Sequence, residues 1–129
     1  MKLILCFLLL FLSCTKKYTG DEIYGIWKGK YFNKDITFIF NNDSSFEISI
    51  RDSITDIVEK LNGIYEINFQ KKPITLSLKK ISQLNHPLHT IIEFGSQNSF
   101  KISQFAPAWK LRNLAFHTYD SFIFRRINN

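Results

Sequence analysis

Gly25-Ile26-Trp27-Lys28-Gly29-Lys30-Tyr31 is the stretch that decides the fold of this chain. The heptad places a tryptophan and a tyrosine on one side of an extended segment and two lysines on the other, which is typical of a half-buried β-strand. We therefore predict the first strand of the domain here, with Lys28 and Lys30 on its outer face. The chain before the heptad is predicted to be a membrane-directed leader, and the chain after it a run of short strands.

Turn-forming residues divide the chain after the heptad into short apolar runs. Asn33-Lys34-Asp35 and Gln70-Lys71-Lys72-Pro73 are two of these turn clusters, and Pro73 lacks a backbone donor, so it belongs at the start of a strand. In most of the runs apolar side chains recur at every second position. Further strands are therefore predicted at residues 36–40, 46–51, 63–69, 74–79, 88–94, 100–105 and 121–126.

The number and spacing of these runs predict the fold class. About eight short strands joined by tight turns favour an all-β antiparallel up-and-down barrel, because closing the sheet removes its exposed edges. The chain contains 13 phenylalanines, which supply apolar volume for the core. Its 129 residues provide for one domain and no second one.

Residues 53–63 break the two-residue period and predict one short helix. Ser53 stands in an N-cap position, and Asn62-Gly63 suits a left-handed helix stop. Asp52 and Asp56 are interpreted as acids near a helix start, not as paired catalytic carboxylates. The alternative is a loop followed by a strand edge. Apolar residues at helical spacing between the two ends are Ile54, Ile57, Val58 and Leu61.

The chain before the heptad has the order of a secretory signal. Met1-Lys2 is a short basic start, and residues 3–12 form an apolar block interrupted only by Cys6. This block is about half as long as a hydrocarbon core of about 30 Å requires, so a transmembrane helix is not expected. We predict a signal peptide over residues 1–13, a polar tether over 14–22, and a barrel domain over 23–129.

Phe11-Leu12-Ser13-Cys14 resembles the lipobox of bacterial lipoproteins. In that family the cysteine becomes the first mature residue and carries fatty-acyl groups such as palmitate. The resemblance implies a lipid on Cys14 and a place in the bacterial cell envelope, at the outer membrane or its periplasmic face in a Gram-negative cell. Removal of residues 1–13 would leave Cys14 without a disulfide partner, which agrees with acylation. The alternative is an ordinary cleaved signal.

The net charge of +6 is distributed along the chain instead of being concentrated in one tract. A nucleic-acid-binding protein is expected to show a concentrated basic stripe, so no nucleic-acid partner is predicted. Attraction to an anionic lipid surface agrees better with this pattern. Most of the lysines are interpreted as solvated strand faces.

The two ends of the predicted barrel resemble the ends of a lipocalin or related calycin barrel. Gly25-x-Trp27 stands on the first strand and Arg125-Arg126 on the last. In those families the tryptophan plugs the closed end of the barrel, and an arginine from the final strand lies over its ring. Further segments resemble, in order, a class of bacterial lipocalin-like domains that are often lipoproteins: Gly63-x-Tyr65, Lys72-Pro73-x-x-Leu76-x-Leu78, Ile92-Glu93-Phe94, Phe100-Lys101-Ile102 and Arg112-x-x-x-Phe116.

Motifs for catalysis and metal binding are absent from the sequence. It contains no Gly-x-Ser-x-Gly elbow, no phosphate-binding glycine loop and no His-Glu-x-x-His. His86 and His89 stand three residues apart without an accompanying cysteine or carboxylate cluster, and His117 is the third imidazole. We therefore predict no enzyme, no cofactor and no metal site.

Four residues are candidate contacts for a ligand or partner. Glu93 between Ile92 and Phe94 would orient the polar end of a ligand if it pointed inward with Arg112, but the outward orientation is favoured. Trp109 and Tyr119 lie in the least regular part of the chain, where they either line a barrel mouth, contact a partner or cover the core.

The leading hypothesis is a lipid-anchored envelope protein whose barrel binds a small apolar or amphipathic ligand, at the end of the barrel away from Trp27. An eight-stranded barrel either is filled by its own side chains or holds one small ligand. The alternative is an envelope protein-interaction or inhibitor module with a filled barrel and no ligand. A hydrolase is a third hypothesis.

Overall fold

The structure is a computed structural model that describes residues 17–96 and 98–127. The predicted signal peptide and Cys14 lie outside these residues. The strands are β1 (Gly25–Tyr31), β2 (Lys34–Phe40), β3 (Ser45–Asp52), β4 (Val58–Asn68), β5 (Ile74–Lys79), β6 (Leu88–Gly95), β7 (Ser99–Ser103) and β8 (Ser121–Arg126). Two 3₁₀ turns, Trp109–Leu111 and Thr118–Asp120, lie between β7 and β8. Among the described residues, no helix is long and apolar enough to cross a membrane.

The eight strands form a closed antiparallel barrel in sequence order. Each strand pairs with the next along the chain, and β8 closes the barrel on β1, where Trp27 lies opposite Arg126 and Gly29 opposite Phe124. This confirms the predicted fold class. The Phe124 ring lies close to the backbone of Gly29. A Cβ at Gly29 would overlap this ring and the Ile123 carbonyl oxygen.

The predicted helix at residues 53–63 is wrong. A tight turn follows β3, in which the Asp52 carboxylate accepts the backbone N–H of Ile54 at 2.9 Å, and β4 begins at Val58. Asn62 and Gly63 lie inside β4, paired with Glu47 and Phe46 of β3. The apolar residues at helical spacing do not share a buried face, because Ile54, Ile57 and Val58 are exposed. Pairing along the whole of β3 outweighs the local helical pattern.

Inward-facing side chains from every strand form one core cluster. Alternation is regular in β2, where Ile36, Phe38 and Phe40 are buried, and in β5. Lys28 and Lys30 are exposed on the outer face of β1, as predicted. The largest completely buried side chains belong to Trp27, Phe38, Phe40, Phe100 and Phe124.

The order of the strands defines two ends of the barrel. The closed end carries the β2–β3, β4–β5 and β6–β7 turns together with residues 17–24. The mouth carries the β1–β2, β3–β4 and β5–β6 connections and the long segment 104–120 between β7 and β8. Within the predicted tether, Tyr18 stacks on Phe69 with ring centroids 5.2 Å apart, so the chain packs against the closed end from that residue onward.

Candidate functional site

Trp27 fills the closed end of the barrel. Its side chain is 1% exposed, and its indole Nε1 donates a hydrogen bond to the carbonyl oxygen of Ile23 at 2.9 Å. Its ring lies 4.6 Å from that of Phe100, centroid to centroid. The residues before β1 therefore cross the end of the barrel and are held there by the indole.

Arg126 covers the outer side of this plug. Its guanidinium carbon lies 4.3 Å from the Trp27 ring centroid, which is cation–π geometry. Its nitrogens donate hydrogen bonds to the carbonyl oxygens of Glu22, at 2.8 Å, and Tyr24. Arg125, the other arginine that the sequence offered for this contact, lies opposite Lys28 and is exposed.

Gly25 leaves room for the arginine. Its φ of +126° is one that L side chains rarely adopt, and a Cβ there would overlap a guanidinium nitrogen of Arg126. Gly25, Trp27 and Arg126 are thus brought together into one closure. Beside Trp27 and Arg126 lies a recess of about 340 Å³ that Asp21 and Glu22 also line, whereas the recess without charged lining lies at the mouth.

An apolar cavity of about 220 Å³ lies at the mouth, between the core and the connections. Phe38 and Ile48 form its floor, where the buried core begins. The half-buried Tyr31, Leu88 and Phe105 lie around its opening. No charged side chain lines it. The complete lining is Tyr31, Ile36, Phe38, Ile48, Ile50, Leu61, Leu88 and Phe105.

Segment 104–120 is held over one side of the mouth by polar contacts. The Asn113 amide donates hydrogen bonds to Ser103 Oγ at 2.6 Å and to Asp120 Oδ2 at 2.9 Å. His89 and Ala106 exchange two backbone hydrogen bonds of 2.8 Å. These contacts fix both ends of the segment to the barrel wall and place Phe105 beside the cavity.

Tyr31 lines the cavity and also contacts segment 104–120 through its hydroxyl group. Its hydroxyl oxygen accepts the backbone N–H of Phe105 at 3.0 Å. Burial raises the pKa of Tyr31 above its usual range, and the Asp120 carboxylate adds to the effect, although the hydrogen bond from Phe105 opposes it. Tyr31 is therefore a neutral phenol at physiological pH, able to donate a hydrogen bond at the cavity wall.

A scan against protein-family models and searches of curated proteins and of solved structures found no match to this chain. The closed eight-stranded antiparallel barrel is compatible with a lipocalin-like fold. The function is therefore inferred from the geometry of the site itself.

Glu93 and Arg112 do not form the inward pair that would orient a ligand. Glu93 points outward, with its carboxylate 3.9 Å from the Lys101 ammonium. Arg112 instead turns toward Trp109: it donates a hydrogen bond to the Trp109 carbonyl oxygen at 2.7 Å, and its guanidinium carbon lies 5.6 Å from the indole centroid. Neither residue lines the cavity.

Trp109 and Tyr119 lie in segment 104–120 with their side chains exposed, so they do not cover the core. Trp109 is 59% exposed and Tyr119 is 81% exposed. Tyr119 stacks on His117 with ring centroids 5.7 Å apart. Lining the barrel mouth and contacting a partner both agree with these exposures and stay predictions.

His86 and His89 each contact a different polar group. His89 Nδ1 lies 2.7 Å from Ser77 Oγ, and His86 Nδ1 lies 2.9 Å from the Pro87 carbonyl oxygen. Burial, followed by the nearby charges of Lys79 and Arg112, holds the pKa of His89 below its usual range. Within the described part of the chain, no group of three potential metal ligands comes together.

The cavity-lining residues were not singled out in the sequence. Ile36, Ile50 and Leu61 follow the inward period of their strands, and nothing local distinguishes them from core residues. A usable signal was their position: in an up-and-down barrel, the last inward residue of β1 and the first of β2 must lie at the same end. Tyr31 and Ile36 satisfy this condition at the end away from Trp27.

Proposed function

We propose that this protein is a lipid-anchored protein of the bacterial cell envelope whose lipocalin-like barrel binds a small, largely apolar ligand in the mouth cavity. The cavity carries the proposal, because it is apolar, has no charged lining and lies at the mouth beside the core cluster. Its volume is comparable to that of an enclosed apolar cavity of about 150 Å³ that binds benzene.

The size and lining of the cavity limit the ligand. A volume of about 220 Å³ suits one bicyclic ring system or a short alkyl chain, not a large lipid. Since no charge lines the cavity, the enclosed part of the ligand is neutral. A ligand carbonyl or hydroxyl oxygen can accept a hydrogen bond from Tyr31. Any anionic group of the ligand stays outside at the rim, within the field of Lys110 and Arg112.

Filling the cavity is expected to abolish ligand binding. Protein purified from its native membrane should carry bound mass in native mass spectrometry, and Ile50→Phe should lose it, because the larger side chain occupies the cavity. With the neutral probe 2-naphthol, we expect calorimetry to show at least about tenfold weaker binding, a loss of about 1.4 kcal/mol.

Ile123→Phe is the matched control, since it makes the same exchange on the exposed outer face of β8. Its binding should equal that of the wild type. A wild-type protein that carries no bound mass and does not bind the probe would contradict ligand binding.

The lipid anchor is tested separately. Cys14→Ala should abolish acylation and move the protein from the membrane to the soluble fraction, because its acyl chains supply the apolar surface that holds it there. Ser13→Ala keeps the thiol and is the control. Unchanged membrane partitioning of the Cys14→Ala variant would count against a lipid at that residue.

A second candidate function is a protein-interaction or inhibitor module that binds no ligand. The exposure of Trp109 and Tyr119 favours it, since large aromatic side chains are enriched where protein partners bind. It differs from the first function in predicting that the cavity stays empty in protein taken from cells.

A further inference from the structure

The large apolar side chains that remain exposed are concentrated at one end of the barrel. Among the described residues, the exposed large apolar side chains of the connections all belong to the mouth, and the two on strands, Val58 and Ile123, lie at or near it. The described turns of the closed end expose polar residues instead. We call the following set the mouth collar: Phe32, Ile54, Ile57, Trp109, Leu111, Leu114 and Tyr119.

The mouth collar surrounds the opening of the cavity from two sides. Ile54, which is 89% exposed, and Ile57 lie on the β3–β4 turn. Leu111 and Leu114 lie on segment 104–120 across the opening. Because these four side chains are exposed, packing within the described fold does not explain why they are apolar. Clustered exposed apolar residues mark interaction sites.

We propose that the mouth collar is the docking surface for a partner protein, whose contact patch is apolar and carries carboxylates where it meets Trp109. The proposal rests on the lipid anchor proposed above and goes beyond ligand binding. A partner seated on the collar would cover the cavity opening.

The charges beside Trp109 select the partner's chemistry on that side of the collar, whereas the β3–β4 turn on the other side carries Asp52 and Asp56, the latter paired with Arg51. Lys110 Nζ lies 5.7 Å and Arg112 Cζ lies 5.6 Å from the Trp109 ring centroid, so two cations flank the exposed indole. Residues 104–119 contain no aspartate or glutamate. Carboxylates on the partner complement this arrangement, and tryptophan, tyrosine and arginine are the residues that most often dominate protein interfaces.

The place where the chain enters the barrel excludes the anchoring bilayer as the occupant. Tyr18 packs at the closed end, and Cys14 is four residues from it, a span of at most about 14 Å. An acylated Cys14 therefore holds the closed end against the membrane. The collar then faces away from the membrane, separated from the closed end by tilted strands that span on the order of 20 Å.

The same geometry excludes a second copy on the same membrane. Two barrels whose closed ends rest on one surface present their mouths in the same direction, so the mouths cannot face each other. A protein that approaches from the side opposite the anchoring membrane remains as the occupant.

The orientation is tested with full-length protein purified from membranes. It is reconstituted into vesicles of phosphatidylcholine and phosphatidylglycerol whose acyl chains carry bromine, which quenches tryptophan on contact. The chain has 2 tryptophans, so the difference between wild type and Trp109→Phe reports Trp109. We expect the Trp109 emission to be the same in brominated and unlabelled vesicles. Quenching of Trp109 would identify the bilayer as occupant and overturn the inference, whereas protein that does not float with the vesicles would refute the anchor and the orientation together.

The partner is tested by photocrosslinking in intact cells. A photoreactive residue at Leu114 should give one discrete heavier species, and the same residue at Asn42, exposed at the closed end, should not. Lys110→Glu should reduce the crosslinked fraction at least about fivefold, because it turns an attraction to carboxylates into a repulsion. Equal crosslinking at both positions, an unchanged yield in Lys110→Glu, or a product of twice the chain mass would overturn the inference.

Discussion

Replacing Trp27 by alanine is expected to lower the free energy of unfolding by about 3–5 kcal/mol. The indole is almost completely buried, packs on Phe100, and lies beneath the guanidinium of Arg126. Its removal leaves a void at the closed end and an unpaired carbonyl oxygen on Ile23. A loss of this size is a large part of the stability of an ordinary domain, about 5–15 kcal/mol.

Urea denaturation followed by far-ultraviolet circular dichroism measures this loss. Trp109→Ala is the matched control: it removes the same side chain from an exposed position, and its effect is expected to stay within about 0.5 kcal/mol. Similar losses for the two variants would show that Trp27 does not have the structural role assigned to it.

Replacing Arg126 by alanine is expected to cost about 2–4 kcal/mol, from charged hydrogen bonds and one cation–π contact. The guanidinium binds the carbonyl oxygens of Glu22 and Tyr24 and covers Trp27, so its loss frees the chain that crosses the closed end. Arg126→Lys should recover only part of the stability, because an ammonium cannot reproduce the planar fork of donors.

The neighbouring arginine provides the control for this variant. Arg125→Ala removes the same chemistry from the outer face of β8, and its effect on stability should stay within about 0.5 kcal/mol. Thermal unfolding of Arg126→Ala, Arg126→Lys and Arg125→Ala, each compared with the wild type, ranks their stabilities. Equal destabilisation by Arg125→Ala and Arg126→Ala would contradict the assignment of the closure to Arg126.

Much of the fold was predictable because strand alternation is a local property. β1 coincides with the heptad, the bounds of β5 and β8 are those expected from the sequence, and the other strands differ from expectation mainly at their ends. The same local reasoning was wrong at residues 53–63. Helical spacing there is real, but β4 pairs with β3 from Val58 to Ile64, and this pairing between strands outweighs the local pattern.

The candidate site was predictable in its location and not in its residues. The expectation of a site away from Trp27 agrees with the position of the cavity at the mouth. Trp109 and Tyr119 were singled out for their irregular surroundings, and they are exposed at that end. Glu93 was singled out as an unusual charge in an apolar strand, yet strand alternation alone places it outside.

The sequence by itself determined that this chain forms eight antiparallel strands closed into a barrel, because the two-residue period and the turn clusters act between near neighbours. Only the tertiary structure decided that Arg126 and not Arg125 covers Trp27, since the choice depends on the pairing of β8 with β1. The tertiary structure also decided that there is a cavity at the mouth. The cavity is lined by Tyr31, Leu88 and Phe105 from distant parts of the chain, and its volume depends on how the fold brings them together.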